Sequence, residues 1–271
     1  MPGGNAFGDV TSFLLALAWT VPRILGVFVV LPIFPRSVLP GMLRLGVAAG
    51  FGLVVAPSLI PLMKGVSLDA TQIGLLVVKE AFVGFVLGCL IAVPFWAFEA
   101  IGFLVDNQRG ASIASTLNPL TGNDSSPLGI LFNQAFIVFF FISGGFLLML
   151  EVLYESFRLW GVFTWFPHFR AESVPVLIHQ ILRLVELSLL LSAPMIVAMF
   201  LAEMGLALVS RFVPQLQVFF LAMPIKSALA FLVLVLYFST ILDYSRDLIE
   251  QTPRTLQLLD EHWRAPAQEA R

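Results

Sequence analysis

Apolar positions gather in long runs separated by short polar stretches. Val10–Phe34 is 25 residues long and carries one charge, Arg23. Leu45–Met63 and Leu128–Leu150 are uncharged, and Ile73–Val105 is apolar apart from Lys79, Glu80, Glu99 and a few weakly polar positions. Toward the C-terminus, Leu187–Ala202 and Ser227–Leu242 are clean, and Met204–Ile225 contains only Arg211. A helix needs about 20 apolar residues to cross a hydrocarbon layer roughly 30 Å thick. The pattern predicts an all-α, polytopic membrane protein of about six long helices arranged as hairpins. The count is open by one because the last three runs abut.

Turn chemistry marks the boundaries. Pro35-Arg36-Ser37 and Pro40-Gly41 break the chain after the first run. Asp69 with Gln72 three residues on is a capping pair ahead of the third helix. Ser126-Pro127 supplies an N-cap followed by proline at the first helical position, so the fourth helix starts there. The tail from Asp243 to Arg271 has ten charges in 29 residues and reads as a solvated helical or frayed extension.

Composition agrees with the runs. Apolar and aromatic residues make up 59% of the 271, charged residues only 12%, against about 25% charged in ordinary soluble domains. So few charges cannot cover that much apolar surface in water. A net charge of −2 argues against a nucleic-acid partner, which calls for a basic patch. The single cysteine, Cys89, rules out an internal disulfide and any cysteine-rich metal site. No basic residue precedes the first run, so the cleavable signal-peptide pattern is missing.

These are poor helices for a simple lipid-facing bundle. Pro22, Pro32, Pro57, Pro94, Pro194, Pro214 and Pro224 lie within or at the ends of apolar runs, where each removes a backbone donor and kinks a helix. Arg23, Lys79, Glu80 and Arg211 would each cost about 2.5–3.5 kcal/mol at a lipid-exposed helix centre. They are expected to face protein or a wet cavity, or to sit at helix ends. Two GxxxG patterns, Gly46–Gly50 and Gly84–Gly88, allow close helix approach, either within this chain or against another subunit. An aromatic group at Trp160, Phe163, Trp165, Phe166 and Phe169 reads either as an interfacial belt or as a subunit contact. Arginine and lysine counts on the two sides favour a cytoplasmic tail.

Catalytic chemistry is missing. There is no HExxH, GxSxG, GxxxxGK[ST] or helix-opening GxGxxG. His168, His179 and His262 are scattered without metal-ligand spacing. The sequence predicts no catalytic residues, no metal, no cofactor and no enzyme activity. What does not read as packing is Gly110–Pro127, which is long for a connection between helices. It is small and polar, with Ile113, Leu117 and Leu120 at intervals of three or four. Non-helical backbone at membrane depth survives only against protein or in a watery cavity. A plug fits; so does a plain exposed loop.

Three separated motifs carry a family resemblance: Pro94-Phe95-Trp96-Ala97-Phe98-Glu99 leading to Asp106-Asn107-Gln108-Arg109-Gly110; Asn118-Pro119-Leu120 through Ser126-Pro127-Leu128-Gly129; and Arg211-Phe212-Val213-Pro214-Gln215 with Met223-Pro224-Ile225-Lys226. In that order, from about Val10 to Tyr244, the chain resembles the FliR/SctT family (also YscT, HrcT, SpaR) of type III secretion export-gate proteins. The Asp-Asn-Gln-Arg-Gly string looks more like the injectisome branch than the flagellar one. The resemblance implies one helical export-gate domain over 1–244, with the N-terminal helices and plug loop in 10–150, a C-terminal hairpin at 185–242 and a polar tail at 245–271. It implies a multi-pass protein of the bacterial inner membrane, in contact with lipid, in a hetero-oligomer with SctR/FliP-like and SctS/FliQ-like subunits and an SctU/FlhB-like switch protein. Secreted proteins would be the cargo. The plug would include Gly110, Ile113, Leu117, Asn118, Pro119, Leu120 and Gly122. Subunit contacts are expected at Gly84, Gly88, Arg211, Pro214, Gln215 and Lys226. Two other readings compete: a small-molecule secondary transporter, which also uses broken helices, and a membrane assembly scaffold without a pore role.

Overall fold

The computed structural model describes residues 4–35, 38–63, 68–110, 126–164, 174–213 and 218–263. Every regular element among them is a helix: α1 (Gly4–Val30), α2 (Gly41–Met63), α3 (Ala70–Arg109), α4 (Pro127–Ile142), α5 (Gly145–Leu159), α6 (Val174–Phe212) and α7 (Val218–Trp263). Five are long and apolar enough to cross a membrane, or six if α4 and α5 count as one broken span. The chain is an all-α polytopic membrane protein.

Local chemistry sets the helix ends. The backbone N–H of Asp69 donates to Gln72 Oε1 at 3.1 Å and the Thr71 hydroxyl to Asp69 Oδ2 at 2.6 Å, completing the cap before α3. The Thr71 hydroxyl foremost, with the backbone N–H groups of Ala70 and Thr71, holds the Asp69 carboxyl below its usual range. Ser126 caps α4, its Oγ accepting from Gly129 N at 2.8 Å, with Pro127 at the first helical position.

Two expected runs are divided differently. Leu128–Leu150 is not one straight span: Gly144 adopts φ +81, a left-handed conformation that ends α4 and lets α5 begin at Gly145. The three abutting C-terminal runs are two helices. α6 passes straight through Glu203 and stops just before Pro214, and α7 carries the last run on through the start of the polar tail to Trp263. Pro22, Pro57, Pro94 and Pro194 all lie inside helices, as does Pro61.

The chain divides into two compact units, Met1–Ala92 with Phe146–Ile178 and Gln251–Arg271, and Val93–Gly145 with His179–Glu250. In the first, α1, α2 and the N-terminal part of α3 pack together around Phe28, whose ring meets those of Phe34 and Phe51 at 4.3 and 5.9 Å. α1 and α3 approach so closely that a side chain at Gly84 would overlap the Arg23 carbonyl, and one at Gly88 would press on the Val27 backbone. In the second unit, Phe95 and Phe98 of α3 meet Phe136 of α4 at 4.7 and 4.4 Å. There the α3–α4 crossing needs Gly102, where any side chain would strike the backbone of Leu128 and Gly129.

Candidate functional site

Two polar clusters stand out, one in each unit. In the first unit Arg23, Lys79 and Glu80 are all buried. Arg23 grips Glu80 with a fork, Nε to Oε2 at 2.7 Å and Nη2 to Oε1 at 3.0 Å. Its other donors reach the Ser156 carbonyl at 2.7 Å, the Ser156 hydroxyl at 3.2 Å and the Trp160 carbonyl at 2.8 Å. A guanidinium has five N–H groups, and all five are matched here. Lys79 Nζ donates to the carbonyls of Gly161, Val162 and Thr164 at 2.8–3.0 Å and lies 2.7 Å from Glu80 Oε1. Two cations thus share one carboxylate. The excess positive charge faces the C-terminal end of α5, whose last carbonyls carry the negative end of the helix dipole. The expectation that these charges face protein holds, and each finds its partners inside this chain.

That cluster also fixes the start of the aromatic stretch. Trp160 is buried, and the Phe163 ring packs edge-on to Trp19 at 5.5 Å. Both rings are therefore used within the chain, an alternative to belt and subunit contact that the sequence did not suggest. Trp165, Phe166 and Phe169 lie outside the described residues. Nearby, Leu15, Trp19, Met63, Ile73 and Phe163 help line an open apolar cavity of about 420 Å³.

The second cluster sits at the base of the 110–127 segment. Asp106, on the last turn of α3, accepts from Ser126 Oγ at 2.6 Å and from Leu128 N at 2.9 Å through the same oxygen, Oδ2. A carboxylate at the N-terminus of α4 is where the helix dipole favours one. One side chain therefore holds both ends of the segment. Arg109 Nε lies 2.7 Å from Asp106 Oδ1, but the two make no aligned hydrogen bond, so the contact is a charge pair only. The Arg109 guanidinium also stands 5.9 Å from the Phe231 ring of α7. Lys226, on α7, donates to the Gln108 carbonyl at 3.2 Å and lies 2.7 Å from Glu203 of α6. The final turn of α3 is thus tied directly to α4 and α7, and through Lys226 to α6.

Of the residues singled out from sequence, Gly110 begins the segment with φ +86, a conformation that suits glycine. Ile113, Leu117, Asn118, Pro119, Leu120 and Gly122 lie outside the described residues, as do Pro214 and Gln215. Gly84 and Gly88 pack on α1 of the same chain, while Gly46 and Gly50 have open space around them. Arg211 is exposed in the last turn of α6, a favourable place for a cation at a helix C-terminus. Lys226, not Arg211, takes Glu203. Sequence reasoning passed over Asp106 and Ser126 as a pair. Their signal was present: an acid closing one helix and an N-cap serine opening the next.

Residues 14–252 match the family described as bacterial export proteins, family 1. The chain is similar to the Yop proteins translocation protein T of Yersinia pestis, 43% identical over 83% of this chain and 86% of that one. Surface presentation of antigens protein SpaR of Salmonella typhimurium is 33% identical over 86% and 87% of the two chains. Flagellar biosynthetic protein FliR of Bacillus subtilis is 31% identical over 88% and 91%. A match of this extent, on a chain built of long apolar helices, means that the protein belongs to family 1 of the bacterial export proteins, the FliR/SctT family, as a multi-pass inner-membrane component of the type III export apparatus.

Proposed function

We propose that the chain is a structural and gating subunit of the export pore, through which unfolded secretion substrates leave the cytoplasm. It assembles with SctR/FliP-like and SctS/FliQ-like membrane subunits and the SctU/FlhB-like switch protein, in a single membrane domain over 1–244. The segment from Gly110 to Pro127, with Ile113, Leu117 and Leu120 as its apolar contacts, acts as the plug. Arg211, Pro214 and Gln215 belong to the surface that meets other subunits, and Lys226, buried against Glu203 and the Gln108 carbonyl, supports that surface from within.

The observation that carries this reading is the bare C-terminal hairpin. The apolar window of α3 is 61% buried, but that of α7 is only 17% buried. Lipid could cover a purely apolar helix. It is a poor cover here, because Glu203 is half exposed beside Lys226, and ionised groups at membrane depth face protein or water. Neighbouring subunits supply that cover. The chain and its three proposed partners, produced together, are expected to purify as one complex in mild detergent. Lys226→Ala leaves Glu203 without its cation and frees the Gln108 carbonyl, and should lower the yield of that complex at least severalfold. A wild-type chain that purifies alone and binds a small solute would overturn the reading in favour of a transporter.

A further inference from the structure

We infer that the face of α3 and α4 around Glu99 docks a membrane helix of another subunit that carries a lysine or arginine opposite the Glu99 carboxylate; this rests on the reading of the chain as one subunit of a hetero-oligomer. Glu99 lies in the C-terminal part of the apolar run of α3, six residues before its end at Val105 and ten before Arg109, or about 15 Å from Arg109 along the helix axis. The other acids of that helix interior have cations: Glu80 has Arg23 and Lys79, and Asp106 has Arg109. Glu203 on α6 has Lys226. Glu99 has a neutral partner instead, the Asn133 amide of α4, whose Nδ2 donates at 3.0 Å. A carboxylate only accepts, so this bond also fixes which way the Asn133 amide points. Among the described residues no cation pairs with it, and the carboxylate is exposed.

The surroundings select the occupant. Trp96 and Phe103 are 37% and 46% exposed, and stand one turn either side of Glu99 on the same face of α3. Ile130 on α4 is 47% exposed and precedes Asn133 by three residues. Facing lipid, this surface would present an ionised carboxylate to hydrocarbon. Facing water, it would present two large aromatic rings and an isoleucine to solvent within an apolar run. An apolar helix with one basic side chain covers the rings and supplies the missing charge together. A phosphate headgroup would repel the carboxylate.

The test uses the complete complex in membranes. In a Cys89→Ser background, Glu99→Cys should be protected from a membrane-impermeant maleimide and, once labelled with a membrane-permeant photoreactive thiol reagent, should cross-link to a partner subunit on illumination. Glu99→Lys should weaken association by about 30-fold or more, as expected for one side of a desolvated charge pair. Glu99→Gln, which keeps the shape and the Asn133 bond, should weaken it less. Rapid maleimide labelling in the assembled complex would place this face in an aqueous conduit and overturn the inference. Quenching of a Trp96 signal by brominated lipid would place it against hydrocarbon, with the same consequence. In both cases the complex still forms, so the subunit reading survives. If no complex forms with the wild-type chain, the reading and the inference fall together.

Discussion

At the scale of single residues, the buried charges of the first unit make a sharp energetic forecast. Glu80 is the only carboxylate within reach of both Arg23 and Lys79 among the described ion pairs. Replacing it with glutamine leaves two buried cations facing each other without a counter-charge. Removing one member of a buried pair costs about 3–5 kcal/mol. Lys79→Met leaves the Arg23–Glu80 fork neutral, and two of the three carbonyls it abandons are only part-buried and can take water. Thermal unfolding of the purified chain in detergent should therefore show Glu80→Gln well below Lys79→Met. Equal losses would mean that water enters the cluster. The sequence announced that these charges needed partners, since they stand in apolar runs. It could not announce which ones, because Arg23 and its carbonyl partner Ser156 are 133 positions apart. Such pairings come from tertiary packing, not from local pattern.

At the scale of elements, the glycines separate close helix crossings from open surface. Gly102 meets backbone atoms of Leu128 and Gly129, which cannot rotate aside as a side chain can. Gly102→Val should cost at least the 1–3 kcal/mol typical of overpacking and lower the unfolding midpoint of the chain. Gly46 lies inside α2 and has no atom within 4 Å of an added Cβ, so Gly46→Ala should cost nothing in packing and stabilise the isolated chain by about 0.5–1 kcal/mol. A GxxxG pattern alone did not tell these situations apart: Gly84–Gly88 faces α1, and Gly46–Gly50 faces open space. Helix starts were easier to read, because Asp69 with Gln72 and Ser126 with Pro127 are local signals that need no tertiary context. Helix ends were harder. The break at Gly144 lies inside an apolar stretch where hydropathy is continuous, and only the backbone conformation there ends α4.

At the scale of the whole molecule, family membership explains why the chain looks unfinished alone. Large side chains such as Leu201, Leu232, Val235 and Leu236 are more than half exposed on α6 and α7, as expected of a subunit whose outer faces are completed by lipid and neighbours. The long connection between α3 and α4 belongs to the same logic. Asp106 joins the end of α3 to the start of α4, through Ser126 and Leu128, and Lys226 holds the last turn of α3 by the Gln108 carbonyl. A deletion confined to the interior therefore leaves these anchors in place. Removing residues 114–123 takes out Leu117 and Leu120, which as buried plug contacts would be worth about 1.5–3 kcal/mol each. The expected outcome is a complex that assembles in normal yield but conducts ions, or sensitises cells to small toxic solutes, when no substrate is present. The anchors make the control: Asp106→Ala, with the segment at full length, should loosen its base and give a smaller leak. A shortened segment in an assembled complex with wild-type conductance would show that 110–127 connects α3 to α4 and closes nothing.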